Sequence, residues 1–117
     1  MSVEKFREAL ERFPNREYVY FNGHLGDPMM NPKIVKLVEL TECRTSITTN
    51  GSVGTKESWE ALAKLGIEGR FSIDGLQDTN HLYRRNVKWN NLMDNVNAFI
   101  EHGGSAYWEY LVFKHNQ

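Results

Sequence analysis

Residues 55–75 read TKESWEALAKLGIEGRFSIDG, and a change of period inside them decides the fold. From Thr55 to Gly66 the apolar residues Trp59, Leu62, Ala63 and Leu65 fit a helix. Thr55 stands where a helix is capped and Gly66 where one ends. From Arg70 to Ile73 the pattern becomes that of a strand, and Asp74-Gly75 closes it. The stretch is one helix followed by one strand.

The same alternation runs outward in both directions. Upstream, Thr45 to Thr49 reads as a strand closed by Asn50-Gly51, preceded by a helix with Ile34, Leu37 and Val38 on its buried side. Asn31-Pro32 supplies that helix with a cap and a proline start. Further back, Tyr18 to Phe21 is a short strand stopped by Asn22-Gly23, and Phe6, Ala9, Leu10 and Phe13 mark a first helix ended by Pro14. Downstream, Trp89, Leu92, Met93, Val96, Phe99 and Ile100 form the clearest helical stripe, followed by Gly103-Gly104 and a strand from Tyr107 to Phe113. Gln77 to Lys88 reads as the longest loop. His102 is placed to cap the last helix. The order α-β-α-β-α-β-α-β implies an α/β fold with about four parallel strands joined by right-handed crossovers. Four strands make half of an eight-stranded barrel or a small open sheet, and an open sheet leaves two edges to cover.

Composition narrows the function. Lys and Arg total 14 against 15 Asp and Glu, a formal net charge of −1, which argues against a nucleic-acid binder. No apolar run is long enough to span a membrane and the first residues have no signal-peptide core, so the expectation is a cytoplasmic, membrane-free chain. One cysteine, Cys43, excludes an internal disulfide and any cysteine-only metal site. The four histidines show no zinc-ligand spacing.

The informative residues cluster at strand ends. Gly23 to Pro28, Thr48 to Gly51, Ser72 to Gly75 and Lys114 to Asn116 all follow carboxyl ends, which converge on one ligand-binding rim in parallel α/β folds. Each group alone is ordinary turn chemistry. Together, with hydroxyls inside the strands, they suit a polar ligand bearing amino, carboxylate and sugar groups. Alternation puts Thr48 with Asn50, and Ser72 with Asp74, on shared faces. Gly26 has no side chain to block a ligand, and Asp27 with the neighbouring carbonyls can accept from an ammonium group. Arg84, in the long loop, can pair with a carboxylate. His24 and His115 fall on the same rim. Asp74 can equally cap the next segment.

Leu25-Gly26-Asp27-Pro28, Thr48-Thr49-Asn50-Gly51 and Ser72-Ile73-Asp74-Gly75-Leu76 together resemble the core of radical S-adenosylmethionine (radical SAM) enzymes. His81-Leu82-Tyr83-Arg84 and the ending Trp108 to Asn116 resemble the branch that carries an additional SPASM iron–sulfur domain. The resemblance implies part of a (βα)6 partial barrel, with residues 1–117 running from the first helix through the family's fifth strand. The family's first strand, its Cys-x3-Cys-x2-Cys loop for a [4Fe–4S] cluster, and its sixth unit are absent from the sequence. SAM is the implied cofactor. The implied contacts are Gly26 and Asp27 at its ammonium group, Ser72 at its carboxylate or ribose, Arg84 at its carboxylate, and Thr48, Thr49 and Asn50 facing SAM or substrate, with Asp74 also at the cofactor. One cysteine cannot replace three thiolates, so the expectation is a fragment inactive on its own, with SAM binding weak or lost. The alternatives are a cluster-free interaction module and a plain small-molecule binder. A homodimer, or a partner supplying the missing half-barrel, is expected to cover the open edges.

Overall fold

The computed structural model describes residues 1–116. Four strands, β1 (Tyr18–Phe21), β2 (Arg44–Thr49), β3 (Glu68–Ser72) and β4 (Ser105–Glu109), form one parallel sheet in the order β1-β2-β3-β4. Helices α1 (Val3–Glu11), α2 (Ile34–Thr41), α3 (Lys56–Lys64), α4 (Asn80–Tyr83) and α5 (Trp89–Glu101) alternate with them. Sequential strand order is that of a singly wound half-barrel, as the alternating pattern predicts.

The two sheet faces differ in chemistry. Ile47 and Phe71 point to the helices and share a core with Trp59, Leu62, Leu92 and Phe99. The Phe71 ring lies 5.4 Å from Trp59 and 5.8 Å from Phe99, tilted and edge-on respectively. A smaller cluster of Phe6, Leu10 and Leu37 seats α1 against α2, with the Phe6 ring 5.5 Å from Phe21. On the opposite face the register lines up Tyr18 with Arg44, Thr48 with Arg70 and Tyr107, and Ser72 with Glu109. Not one aliphatic side chain lies on that face of the four strands.

The capping signals are used as the sequence suggests. Thr55 and Ser58 form a reciprocal capping box on α3, and Gly66 ends the helix at a left-handed φ of 73°. His102 Nδ1 lies 2.8 Å from the Ala98 carbonyl oxygen.

Four boundaries differ. Strand β3 runs Glu68–Ser72 and not Arg70 to Ile73, because Glu68 and Gly69 already pair with Ser46 and Ile47. Helix α2 begins at Ile34, with Lys33 and not Asn31 at its N-cap; the Asn31 side chain instead accepts the Lys33 N–H at 2.9 Å in a turn that precedes the helix. The loop from Gln77 to Lys88 contains α4, one helical turn. The last strand is Ser105–Glu109 and not Tyr107 to Phe113. The aromatic run has strand propensity, but beyond Glu109 the backbone leaves the ladder. The Leu111 N–H instead donates to the Asp74 carboxylate at 2.9 Å.

Candidate functional site

The carboxyl ends of β1, β2 and β3 surround an open cavity of about 280 Å3, lined by Asn22, Gly23, Gly26, Asp27, Thr48, Thr49, Asn50, Ser72 and Arg84. Seven of the eight residues expected at a ligand site from sequence meet here. The eighth, Asp74, is fully buried and does not line the cavity.

Asp27 is the joint of the rim. It follows β1 and opens a single 3-10 turn, Pro28–Met30, by accepting the Met29 N–H at 3.0 Å. Its oxygens also accept the Thr49 hydroxyl, at 2.9 Å from each, and the Asn50 N–H at 2.8 Å. A carboxylate offers about four acceptor sites. Three donors already use most of them, so Asp27 chiefly fixes the loop. Gly26 has a φ of 139° and a Cβ there would meet nothing, so glycine is required by backbone conformation and not by crowding.

Asn50 is also partly committed: its Oδ1 accepts the Ser52 N–H at 2.9 Å and the Ser52 hydroxyl at 3.0 Å. Thr48 Oγ1 is 2.6 Å from the Tyr20 hydroxyl, which ties the rim to the polar sheet face below. Arg84 donates its Nε–H to Asp74 Oδ2 at 2.7 Å, and its guanidinium lies over the Tyr83 ring at 4.9 Å. The two terminal nitrogens remain to meet an anion. His24 is exposed, and His115 stacks on Phe113 at 5.4 Å between ring centroids.

The polar face carries a charge network. Glu68 accepts from Arg44 Nε at 2.8 Å and from the Tyr18 hydroxyl at 3.2 Å, and lies 3.5 Å from Arg70. Arg70 also lies 3.6 Å from Glu109 and over the Tyr107 ring at 5.3 Å. The Arg44 hydrogen bond, outweighing burial, holds the Glu68 carboxyl below the usual carboxylate range. In turn the Glu68 hydrogen bond raises Arg44. The Tyr18 phenol foremost, then Glu109 and Glu68, raise Arg70 against the effect of burial. Ser46 Oγ and Arg70 Nε are buried on this face without a hydrogen-bond partner.

Sequence reasoning missed Asn22, which lines the cavity, and Asn80, which accepts the Asp74 N–H. Asn22 had a signal, since it continues the alternation of Tyr18 and Tyr20 past the strand end; Asn80 had none. Asn116, expected on the rim with Lys114 and His115, does not line the cavity and donates to the Asp74 carbonyl.

The donors and acceptors fit the amino-acid and sugar groups of SAM: an arginine anchored through its Nε, the Ser72 hydroxyl, and a Thr48 hydroxyl shared with Tyr20. They do not fit an iron–sulfur cluster. Among the described residues no three His, Cys, Asp or Glu side chains gather as a metal site. Cys43 lies between α2 and β2, at the end of the sheet away from the rim. Among the described residues no helix is long and apolar enough to cross a membrane.

Known proteins share the sequence and the fold of this chain in part. The chain is 34% identical over 76 residues to the tungsten-containing aldehyde ferredoxin oxidoreductase cofactor-modifying protein of Pyrococcus furiosus, covering 62% of this chain and 21% of that protein. Its fold matches the solved structures of native anSMEcpe with bound AdoMet, at a TM-score of 0.76 and 17% identity, and of native anSMEcpe with AdoMet and the Kp18Cys peptide, at 0.74 and 17%. Each match covers 92% of this chain and 34% of the solved one. The chain therefore spans about a fifth of the curated relative and a third of the solved chains. The model of the radical SAM superfamily matches residues 1–116, and the chain belongs to that superfamily.

Proposed function

We propose that the rim cavity takes the amino-acid end of SAM, and that this chain is the piece of a radical SAM core that carries the SAM rim without the cluster ligands. The observation that carries the reading is the convergence of Gly26, Asp27, Thr48, Asn50, Ser72 and Arg84 on one cavity at the carboxyl ends of three strands. In this reading the ligand carboxylate meets the outer nitrogens of Arg84 and the Ser72 hydroxyl. The ammonium group meets the Gly23–Gly26 carbonyls and the acceptor capacity left on Asp27. At about 280 Å3 the cavity is slightly below the usual ~300–1,000 Å3 of small-molecule pockets. That size suits one end of SAM. The branch with an additional SPASM domain is supported by the packing of its two resembling segments, with the Tyr83 ring 4.6 Å from Phe113.

In the superfamily a [4Fe–4S] cluster supplies the electron that cleaves SAM. The described residues do not hold such a cluster, and the chain alone is inactive in this reading. Titration calorimetry with SAM tests the rim: measurable heat supports it, and none at millimolar SAM removes it. Anaerobic incubation with iron, sulfide, dithionite and SAM tests inactivity, and formation of 5′-deoxyadenosine would overturn it.

A second reading, of an interaction module, is favoured by an apolar groove of about 360 Å3 beside β4, where Trp89, Met93, Val96 and Ile100 of α5 meet Ala106 and Trp108. Another polypeptide, whether a second copy or the rest of a barrel, would cover it. Light scattering over a range of concentrations checks self-association, and a constant monomer mass excludes the homodimer.

A further inference from the structure

We propose that Asp74 is a positioning residue of the rim: without meeting the ligand, it sets the Arg84 guanidinium at the cavity and couples its occupancy to the order of residues 110–116. This rests on the reading of the cavity as a SAM site.

Asp74 is fully buried and every polar group on it is engaged. Oδ2 accepts the Arg84 Nε–H at 2.7 Å and Oδ1 accepts the Leu111 N–H at 2.9 Å. The Asp74 N–H donates to Asn80 Oδ1 at 2.8 Å, and its carbonyl accepts from Asn116 Nδ2 at 2.7 Å. One residue thus joins the loop after β3 to the segment after β4.

A buried carboxylate must keep its cation or lose much stability. Arg84 is therefore held at Asp74 by its inner nitrogen, and the fork of its outer nitrogens is oriented before any ligand arrives. Packing gives a second link. The Arg84 guanidinium lies over Tyr83, and the Tyr83 ring packs on Phe113. The segment after Glu109 is otherwise mostly exposed at Leu111 and Val112, so these ties carry its order. A ligand carboxylate that favours the observed Arg84 position must then favour the ordered segment, and the reverse holds by linkage.

The test compares SAM with 5′-methylthioadenosine, which keeps the adenosine and lacks the amino-acid end. Asp74→Asn is expected to weaken SAM binding about tenfold or more, as for loss of a charge-assisted hydrogen bond, and to leave methylthioadenosine within about twofold. Equal weakening of both, or of neither, would overturn the role. Amide exchange supplies a ligand-free readout should Asp74→Asn not fold. Phe113→Ala, outside the cavity, should speed exchange at the Leu111 N–H about tenfold or more by loosening its segment. In the unsubstituted chain SAM, and not methylthioadenosine, should slow that exchange. Leu111 exchange indifferent to Phe113→Ala overturns the coupling whether or not SAM binds. Absence of SAM binding by the unsubstituted chain sinks instead the reading of the cavity.

Discussion

Both carboxylate oxygens of Asp27 stand 2.9 Å from the Thr49 hydroxyl oxygen, so the loop after β1 is bolted to the end of β2 by one shared proton donor. The Asn50 N–H completes the joint. Thr49→Val keeps the shape and removes the donor, with an expected cost of about 1–3 kcal/mol in urea unfolding, since a partly buried charged acceptor loses a partner. Asp27→Asn should cost a similar amount. The double variant should lose less than the sum, with a coupling of about 0.5–3 kcal/mol for residues in direct contact. Strict additivity would show that the two do not act together.

Glu68 gives the chain an acid-sensitive term. Its carboxyl titrates below the ordinary value of about 4.3 because Arg44 binds the charged form, reinforced by Tyr18 and Arg70. A folded-state value lowered in this way contributes stability that is fully present above the unfolded carboxyl's range and is lost as pH falls through the folded one. Stability of the wild-type chain should therefore fall below about pH 5, and Glu68→Gln should flatten part of that fall while lowering stability at neutral pH. Parallel stability–pH curves for both chains would refute the assignment.

Elements whose start and stop signals are local were legible in the sequence. Thr55, Gly66, His102 and the Asn50-Gly51 pair each act on residues a few positions away, and each sits where the pattern places it. The rim was legible because parallel strands bring their carboxyl ends together whatever the rest of the chain does. Asp74 was not. Alternation groups it with Ser72 on the ligand face, yet its partners Asn80, Arg84, Leu111 and Asn116 are 6, 10, 37 and 42 positions away. The same long-range bond explains the shortened last strand, since the Leu111 N–H goes to a side chain and not to the ladder.

Gly51 joins the rim loop to the core. Its φ is 79°, and a Cβ built there would lie 2.4 Å from Leu92 Cδ1 and 3.0 Å from Phe71 Cδ1. Gly51→Ala combines left-handed strain of about 1–2 kcal/mol with overpacking of about 1–3 kcal/mol. Gly66 has a similar φ of 73° with open space around a Cβ, so Gly66→Ala carries only the strain. Urea unfolding should show Gly51→Ala clearly the more damaging of the two. Equal losses would mean that the core yields to the extra methyl group.

Arg16 holds two helix ends at once. Its Nε–H donates to the Thr41 carbonyl at 2.9 Å, and Nη1 donates to the carbonyls of Leu10 and Phe13, both at 3.3 Å. Nη2 lies 3.5 Å from the Leu40 carbonyl oxygen. The Leu10, Leu40 and Thr41 carbonyls belong to the final turns of α1 and α2, where helices leave acceptors without intrahelical partners, and Phe13 follows just past the end of α1. One guanidinium therefore closes both and presses α1 onto the sheet beside β1. Arg16→Ala should cost about 1–3 kcal/mol, because partly buried carbonyls lose a charged donor. Arg16→Lys separates charge from geometry. A lysine keeps the attraction to both helix C-termini but cannot span the acceptors with a planar fork, so it should recover only a minor part of the loss. Full recovery by lysine, abolished by high salt, would show that the helix dipoles and not the hydrogen bonds hold α1 in place.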